Sequence, residues 1–297
     1  MRVNKLSPII ILGNPRSGTT LLRLILTSHP KICIPPEGGF MCWLWPQFSH
    51  WSLSDWLEKT NIAKFTEAVF ATKKFPTWRI SDHEMYEELS KTPPKTYRDA
   101  CLAIYSLYAW KNKPGALFWG DKNNFYTAHT ELLGTLFPQG RFIHLVRDPR
   151  DVICSYRDMA VLESSSIYKP ILSTDAQTVA DEWVKNNENV TKVLNINTSI
   201  SSCLLRYEDL VTDPEKNARN LCAWLGLDFS PEMLSFHELN QKNQLEPIET
   251  MDWKKKTLQK ISTEQCERFR KELNSDEIAF IEERASALMK QFRYLPV

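Results

Sequence analysis

Residues 13–20 combine the features of an anion-binding loop. Gly13 and Gly18 bound the loop, an apolar run over residues 9–12 precedes it, and a second apolar stretch begins at Leu21. The pattern predicts a buried strand, a tight loop and a helix whose first backbone N–H groups face the ligand. The ligand of such a loop is most often a phosphate group.

The loop departs from that of nucleoside triphosphatases at one position. Thr19 stands where the pattern G-x-x-x-x-G-K-S/T has its lysine, and the cation lies inside the loop, at Arg16. The lysine of a triphosphatase contacts the β- and γ-phosphates. We therefore expect a phosphate-bearing nucleotide other than a nucleoside triphosphate, with a ligand-free glycine-rich turn as the alternative. The residues expected to bind it are Arg16, Ser17, Gly18, Thr19 and Thr20.

A second strand-to-helix corner follows residues 141–146. Arg147 comes directly after this apolar run, Pro149 fits the first turn of a helix, and Ser155 follows two turns later. An arginine fork together with a hydroxyl suits a terminal phosphate monoester. The alternative is that Arg147 pairs with the charged residues among 148–151.

Short apolar runs alternate with helical patterns along the chain. We predict strands at 8–13, near 32–34, and at 116–119, 141–146 and 202–206. We predict helices at 18–28, 96–111, 127–136, 150–161, 175–195, 214–225 and 275–291. This alternation is typical of an α/β fold, and we expect residues 1–297 to form a single domain with a central parallel sheet flanked by helices.

Composition restricts the function classes. The net charge of the 297 residues is +1, which excludes a general electrostatic attraction to nucleic acid. No apolar run approaches the length of a membrane span, and no signal peptide is recognisable. The seven cysteines are scattered without a C-x-x-C pair, which favours reduced thiols over a zinc site or a disulfide framework. We therefore expect a cytoplasmic protein without a metal.

Aromatic residues are concentrated in residues 40–57. This segment contains Phe40, Trp43, Trp45, Phe48, Trp51 and Trp56. Tryptophan and phenylalanine rings could line an apolar acceptor pocket or could pack against the sheet as core. The sequence leaves both interpretations open, with the core slightly favoured.

The two corners together resemble the sulfotransferases that use 3′-phosphoadenosine-5′-phosphosulfate (PAPS). Residues 15–22 resemble that family's 5′-phosphosulfate loop, and residues 147–155 resemble its 3′-phosphate motif. Residues 205–210 are similar to a later strand of the family, and the resemblance covers roughly residues 8–260. It implies a P-loop-like fold, PAPS as the donor, and transfer of a sulfuryl group to an acceptor hydroxyl or amine without a metal.

The resemblance also implies roles for individual residues. Arg16 and Lys122 would stabilise charge on the sulfonate and the leaving phosphate, since PAPS has no γ-phosphate for a triphosphatase lysine to bind. Tyr207 would lie near the adenosine. The C-terminal region of many members carries a tryptophan with basic residues, so Lys254 and Lys255 of the run 254–256 are candidates for the 3′-phosphate, or the start of a solvated helix.

Transfer to a hydroxyl needs a general base. Small-molecule members usually have a histidine two residues after the site lysine, where this chain has Asn124. The protein-tyrosine and many bacterial members instead carry a glutamate after the loop helix, and Glu37 matches it. We therefore predict Glu37 as the base, a solvated or ion-paired glutamate being the alternative. His50 and His129 are weaker candidates for the base, and His29 is expected to be structural.

Two other functions remain open at the level of sequence. The chain could bind 3′-phosphoadenosine 5′-phosphate (PAP) without turnover, or it could be a phosphotransferase with an altered P-loop. The acceptor is not identified, and the aromatic segment only suggests that it is apolar.

Overall fold

The computed structural model describes residues 8–296, which form five parallel strands in one sheet. The strands are β1 (Ile9–Leu12), β2 (Ile32–Cys33), β3 (Phe118–Lys122), β4 (Arg141–Val146) and β5 (Ser201–Arg206). Their order across the sheet is β2-β3-β1-β4-β5. At the centre, Ile9 of β1 lies opposite Gly120 on one side and Arg141 on the other.

The central strand is buried on both faces, which explains its uninterrupted apolar sequence. Ile10 and Leu12 belong to the core on one face of the sheet, and Ile9 and Ile11 to the core on the other. From β1 the chain builds β2 and β3 on one side and then β4 and β5 on the other. The carboxyl end of β1 is therefore a topological switch point, where open α/β sheets bind ligands.

Helices cover both faces of the sheet. Those before β4 are α1 (Thr19–Ser28), α2 (Phe40–Trp43), α3 (Trp45–Phe48), α4 (Leu53–Leu57), α5 (Lys59–Phe70), α6 (Asp82–Lys91), α7 (Tyr97–Asn112) and α8 (Thr130–Leu136). Those after β4 are α9 (Pro149–Val161), α10 (Ala176–Ile196), α11 (Tyr207–Thr212), α12 (Pro214–Leu225), α13 (Phe236–Asn243), α14 (Phe269–Glu272) and α15 (Ser275–Gln291). Short 3₁₀ helices span Phe75–Trp78, Asn124–His129, Pro231–Met233, Ile248–Trp253 and Lys255–Leu258.

The predicted fold class is confirmed, because a parallel five-stranded sheet lies between helices. The strand predicted at 116–119 lies later, at Phe118–Lys122, and ends on two charged residues that the pattern had excluded. Both are buried at the carboxyl end of the strand, where Lys122 pairs with Glu37 and Asp121 accepts hydrogen bonds from tyrosine hydroxyls. The helix predicted at 127–136 is divided into a 3₁₀ turn and α8.

Helices α2 to α6 were missing from the prediction. They carry most of the aromatic segment, and Phe40, Phe48 and Trp56 are fully buried in the core against the sheet. Trp43 differs from them because 36% of its surface is exposed. Most of the segment is therefore core, as the slightly favoured interpretation had it.

No helix of the described residues is both long and apolar enough to cross a bilayer.

Candidate active site

The loop after β1 turns tightly against β4 and α11. A side chain at Gly13 would place its Cβ atom 2.6 Å from the Leu145 carbonyl oxygen. Gly18 has φ +90°, a left-handed conformation that glycine adopts without strain, and a Cβ atom there would lie 2.5 Å from the ring of Tyr207. Arg16 adopts the left-handed region as well, with φ 65°. Both glycines are thus required by close approach, as the loop pattern predicts.

Arg147 connects this loop to the second corner. It follows β4 directly, and one guanidinium nitrogen donates to the backbone carbonyl of Arg16 at 2.9 Å. Another donates to the carbonyl of Gln265 at 2.6 Å, in the segment that precedes α14. The guanidinium also lies over the ring of Tyr207, with its carbon 4.6 Å from the ring centroid. Arg147 therefore hydrogen-bonds to two segments that lie 131 and 118 residues away from it in the sequence.

The Arg16 side chain points toward the same corner. Its Nε donates to Ser155 Oγ at 3.1 Å, and a terminal nitrogen donates to the Trp253 carbonyl at 3.4 Å. Burial, followed by the charge of Arg147, lowers the pKa of Arg16 to about 10. The structure thus brings the predicted residues Arg16, Arg147, Ser155 and Tyr207 together, and two of them are cations that repel each other.

Buried polar atoms in this cluster fit an anionic ligand. Within residues 8–296, Ser17 Oγ and Arg147 Nε are buried and have no hydrogen-bond partner. Such groups are costly unless something satisfies them. Two repelling guanidinium groups next to unsatisfied donors favour a ligand with phosphate oxygens. The residues present therefore fit the nucleotide that the loop pattern predicts.

Lys256 belongs to the same electrostatic field. Burial and the charge of Arg268 are the main causes that lower its pKa, and Arg16 and Arg147 contribute to the same shift. The sequence pointed to the run 254–256 but favoured Lys254 and Lys255 within it. Lys255 and Lys256 both lie on a 3₁₀ turn and are both exposed. Lys255 therefore stays a candidate beside Lys256.

Lys254 lies in a different cluster. Its ammonium forms a buried ion pair with Oε1 of Glu246. The other carboxylate oxygen of Glu246 pairs with Arg23 of α1 at 2.5 Å. Arg23 also donates to the Ile34 carbonyl at 3.0 Å, just before the Glu37 loop. This charged cluster connects the C-terminal segment to α1 and to the backbone just before the Glu37 loop.

Glu37 lies between two lysines. Its Oε1 pairs with Lys122 at the end of β3, and its Oε2 pairs with Lys74. Burial raises the pKa of Glu37, but Lys122, Lys74 and the more distant Lys254 together hold it well below its usual value. The carboxylate is therefore ionised at neutral pH. An ion-paired glutamate was the alternative expected from the sequence, and Lys74 is a partner that sequence reasoning missed.

Lys122 is 1% exposed, and its surroundings shift its pKa. Burial lowers its pKa to about 8, although the carboxylate of Glu37 acts in the opposite direction. The preceding residue, Asp121, accepts hydrogen bonds from the hydroxyls of Tyr105 and Tyr126 on the other side of the strand. These bonds fix the end of β3 and hence the position of Lys122.

The Glu37 loop is clamped between two indole rings. Trp78 Nε1 donates to the Pro36 carbonyl at 2.9 Å, and its ring lies against Gly38. Trp43 packs against Gly39 and, at 5.7 Å between ring centroids, against Phe125. Because Gly39 has φ +81°, a larger residue would be strained there even without the indole contact.

The remaining candidates have separate positions. Asn124, two residues after Lys122, accepts a hydrogen bond from Thr19 Oγ1 at 3.1 Å. His29 bonds to the Asp228 carbonyl at 2.9 Å and has the structural role expected of it. The ring of His129 packs against Phe125, tilted by 43° with the centroids 4.1 Å apart. Thr20 is half-buried, and His50 is exposed.

The charge pairing expected as an alternative at the second corner occurs, but without Arg147. Arg150 pairs with Asp148 at 2.7 Å and with Glu282 at 2.5 Å. Asp151 accepts from the backbone N–H groups of Glu267 and Phe269. Arg147 instead hydrogen-bonds to the loop carbonyl of Arg16. Among the described residues, no three histidine, cysteine, aspartate or glutamate side chains converge into a metal-binding group.

Comparison with known proteins places this geometry in a family. A sequence profile described as the Sulfotransferase family matches residues 8–231. A Caenorhabditis briggsae protein that bears the name of a protein-tyrosine sulfotransferase is 28% identical over 239 residues, covering 78% of this chain and 69% of that protein. The omega-hydroxy-beta-dihydromenaquinone-9 sulfotransferase Stf3 of Mycobacterium bovis is 26% identical over 253 residues, covering 74% of this chain and 63% of Stf3.

A solved structure shares the fold. The sulfotransferase domain from the Synechococcus PCC 7002 olefin synthase is 21% identical, with a TM-score of 0.61 over 96% of this chain and 98% of that domain. The match of the family profile extends over both corners of the site, from β1 beyond α11. The resemblance that the two corners carry is thus confirmed, and the chain belongs to the Sulfotransferase family of transferase enzymes.

Proposed function

We propose that this protein transfers a sulfuryl group from PAPS to an acceptor hydroxyl, with an amine as the less favoured acceptor. The observation that carries the proposal is the cluster at the carboxyl end of β1. There Arg16 donates to Ser155, Arg147 donates to the Arg16 carbonyl, and the donors Ser17 Oγ and Arg147 Nε are buried and unsatisfied.

Different residues of the site would bind different groups of the nucleotide. The backbone N–H groups at the start of α1, with Ser17, Gly18, Thr19 and Thr20, would hold the 5′-phosphosulfate. Arg147 and Ser155 would hold the 3′-phosphate, and Lys256 adds its charge to the same region. Tyr207, which packs against Gly18 and under Arg147, would contact the adenosine.

Glu37 is the proposed general base. PAPS, when bound, supplies an activated sulfuryl group and a phosphate leaving group. Glu37 accepts the proton from the acceptor hydroxyl, because its carboxylate is ionised and buried beside Lys122. The Lys122 ammonium and the Arg16 guanidinium stabilise negative charge on the sulfuryl and phosphate oxygens. The two cations come from different parts of the site, since Lys122 contacts Glu37 and Arg16 contacts Ser155.

The acceptor would enter beside Trp43 and Phe125. These rings are 36% and 38% exposed, they contact each other, and they follow closely in sequence after Glu37 and Lys122. An exposed aromatic pair next to a buried base favours an acceptor with an apolar or aromatic body. Hydroxyl acceptors also agree with the names of the relatives, which specify protein tyrosine and a hydroxylated menaquinone.

The test is an acceptor screen with ³⁵S-labelled PAPS, using phenols, aliphatic alcohols, hydroxylated lipids, sugars and tyrosine peptides. We expect label transfer to at least one class, and Glu37→Gln should reduce kcat by about 100-fold or more while PAP binding is unchanged. PAP binding without transfer to any class would instead support a non-catalytic nucleotide-binding protein. Magnesium-dependent consumption of ATP would support a phosphotransferase.

A further inference from the structure

Lys74 contacts the proposed base, although it belongs to no recognisable sequence motif. Its ammonium pairs with Oε2 of Glu37, whereas Lys122 pairs with Oε1. The two lysines differ in environment, because Lys74 is 23% exposed and Lys122 is 1% exposed. Each carboxylate oxygen therefore has its own cation, one from the sheet edge and one from the side that faces solvent.

The position of Lys74 is fixed by the core. It immediately precedes the 3₁₀ helix Phe75–Trp78, whose first and last residues are buried. Trp78 donates to the Pro36 carbonyl at 2.9 Å, one residue before Glu37. Phe75 and Trp78 both pack against Phe40, which begins α2 directly after the Glu37 loop. The segment that carries Lys74 and the loop that carries Glu37 are thus one packed unit.

The two cations have different tasks in the proposed reaction. In the proposed reaction Lys122 interacts with both Glu37 and the anionic donor. Donor binding therefore weakens the electrostatic interaction between Lys122 and the Glu37 carboxylate. Lys74 pairs with the other carboxylate oxygen of Glu37 and is not among the residues proposed to hold the 5′-phosphosulfate or the 3′-phosphate. We propose that Lys74 is a positioning residue that holds Glu37 in place while Lys122 contributes to the donor, and this rests on the proposed function.

The surroundings of Glu37 support this division. Besides the two lysines in contact, Lys254 faces the carboxylate from the C-terminal segment, but its ammonium is bound to Glu246. The negative charge of Glu37 contributes to raising the pKa of Asp121 of β3. The Asp121 carboxylate accepts hydrogen bonds from two tyrosine hydroxyls. Once Lys122 is shared with the donor, Lys74 is the remaining cation in direct contact with Glu37 among the described residues.

The chain offers a matched control for the experiment. Lys74→Met removes the ammonium and keeps an apolar side chain of similar length, and Lys74→Arg keeps the charge. Lys73→Met makes the same chemical change at the neighbouring, exposed position. The protonation of Glu37 is followed by NMR of ¹³C-carboxyl-labelled glutamate, with and without PAP, and its resonance is assigned by its loss in Glu37→Gln.

We expect the Glu37 carboxylate to become protonated at a pH about one unit or more higher in Lys74→Met, and the difference to be larger with PAP bound. Lys74→Arg and Lys73→Met should titrate like the wild type. With an acceptor from the screen, the acid limb of the pH profile of kcat should move by the same amount, while the KM for PAPS is unchanged.

A Glu37 resonance that titrates identically in wild type and folded Lys74→Met would overturn the proposal. So would a Lys74→Met variant that loses thermal stability while the pH profile keeps its position, because that result describes a purely structural role. The NMR measurement needs no acceptor, so absence of turnover in the wild type would count against the proposed function and leave the test of Lys74 intact.

Discussion

The guanidinium of Arg147 donates a hydrogen bond of 2.9 Å to the backbone carbonyl of Arg16. This contact joins the loop after β1 to the corner after β4, so the two motifs form one site. Arg16 holds a left-handed backbone conformation that is uncommon for a residue with a side chain, and Arg147 binds the carbonyl that this conformation presents. Changes at either corner should therefore affect the other.

Gly18→Ala tests the close approach between the loop and Tyr207. The new methyl group would lie 2.5 Å from the Tyr207 ring, at a backbone φ of +90°. We expect about 2–4 kcal/mol of lost stability and at least about tenfold weaker PAP binding, because the ring must move away from its place under Arg147. Urea unfolding and calorimetry measure the two effects.

Gly226→Ala is the control for backbone strain. Gly226 also has a positive φ, +72°, but nothing lies within 4 Å of the added carbon. It should cost about 1 kcal/mol of stability and leave PAP binding unaltered. Equal effects of the two substitutions on PAP binding would show that the contact with Tyr207 is unimportant for the site.

Glu246→Gln tests the buried charged cluster, because it leaves Arg23 and Lys254 without a carboxylate. We expect a loss of about 3–5 kcal/mol in the free energy of unfolding at pH 7. Burial raises the pKa of Glu246, but Lys254 and Arg23 outweigh it and lower the pKa to about 2. A carboxyl with a lowered pKa in the folded state stabilises above its unfolded pKa and loses that contribution as the pH falls.

The stability difference between wild type and Glu246→Gln should therefore shrink between about pH 4.5 and pH 2. Urea unfolding at several pH values measures it. Glu215→Gln, which removes an exposed ion pair with Arg219, is the control and should cost less than about 1 kcal/mol throughout. A difference for Glu246→Gln that stays constant from pH 5 to pH 3 would contradict the assigned ionisation.

Trp43→Ala tests the proposed acceptor entrance. The ring covers Gly39 and contacts Phe125, and its exposed edge is available to a ligand. We expect the KM for an apolar acceptor to rise about tenfold or more, with unchanged PAP affinity. Trp110→Ala, which removes a more exposed indole on α7, should leave both constants as they are. An unchanged acceptor KM in Trp43→Ala would place the acceptor elsewhere.

The sequence predicted the parts of the site that local patterns determine. The glycine spacing, the apolar run before Gly13 and the position of Arg147 after β4 are local, and the structure brings their residues together as expected. The strands and most long helices are local as well, since each follows an apolar periodicity with a cap or a proline.

The parts that the sequence did not predict depend on contacts between distant segments. Lys74 meets Glu37 only because Trp78 docks on Pro36, and no spacing in the sequence encodes that contact. Lys254 pairs with Glu246, and the partner of Glu246 on α1, Arg23, lies 223 residues away from it, so no local pattern predicts this cluster. Helices α2 to α6, between β2 and β3, were not predicted, because their aromatic residues face the core without a clear helical periodicity in the sequence.

The most direct test of the central claim is PAP binding by titration calorimetry at low salt, for wild type and Arg147→Met. The matched control is Arg219→Met, which removes a surface guanidinium on α12. We predict micromolar binding that Arg147→Met weakens by about 2 kcal/mol or more and that Arg219→Met leaves unchanged. Equal PAP affinity in the wild type and Arg147→Met, or binding of ATP in place of PAP, would contradict the assignment of this site to a sulfotransferase donor.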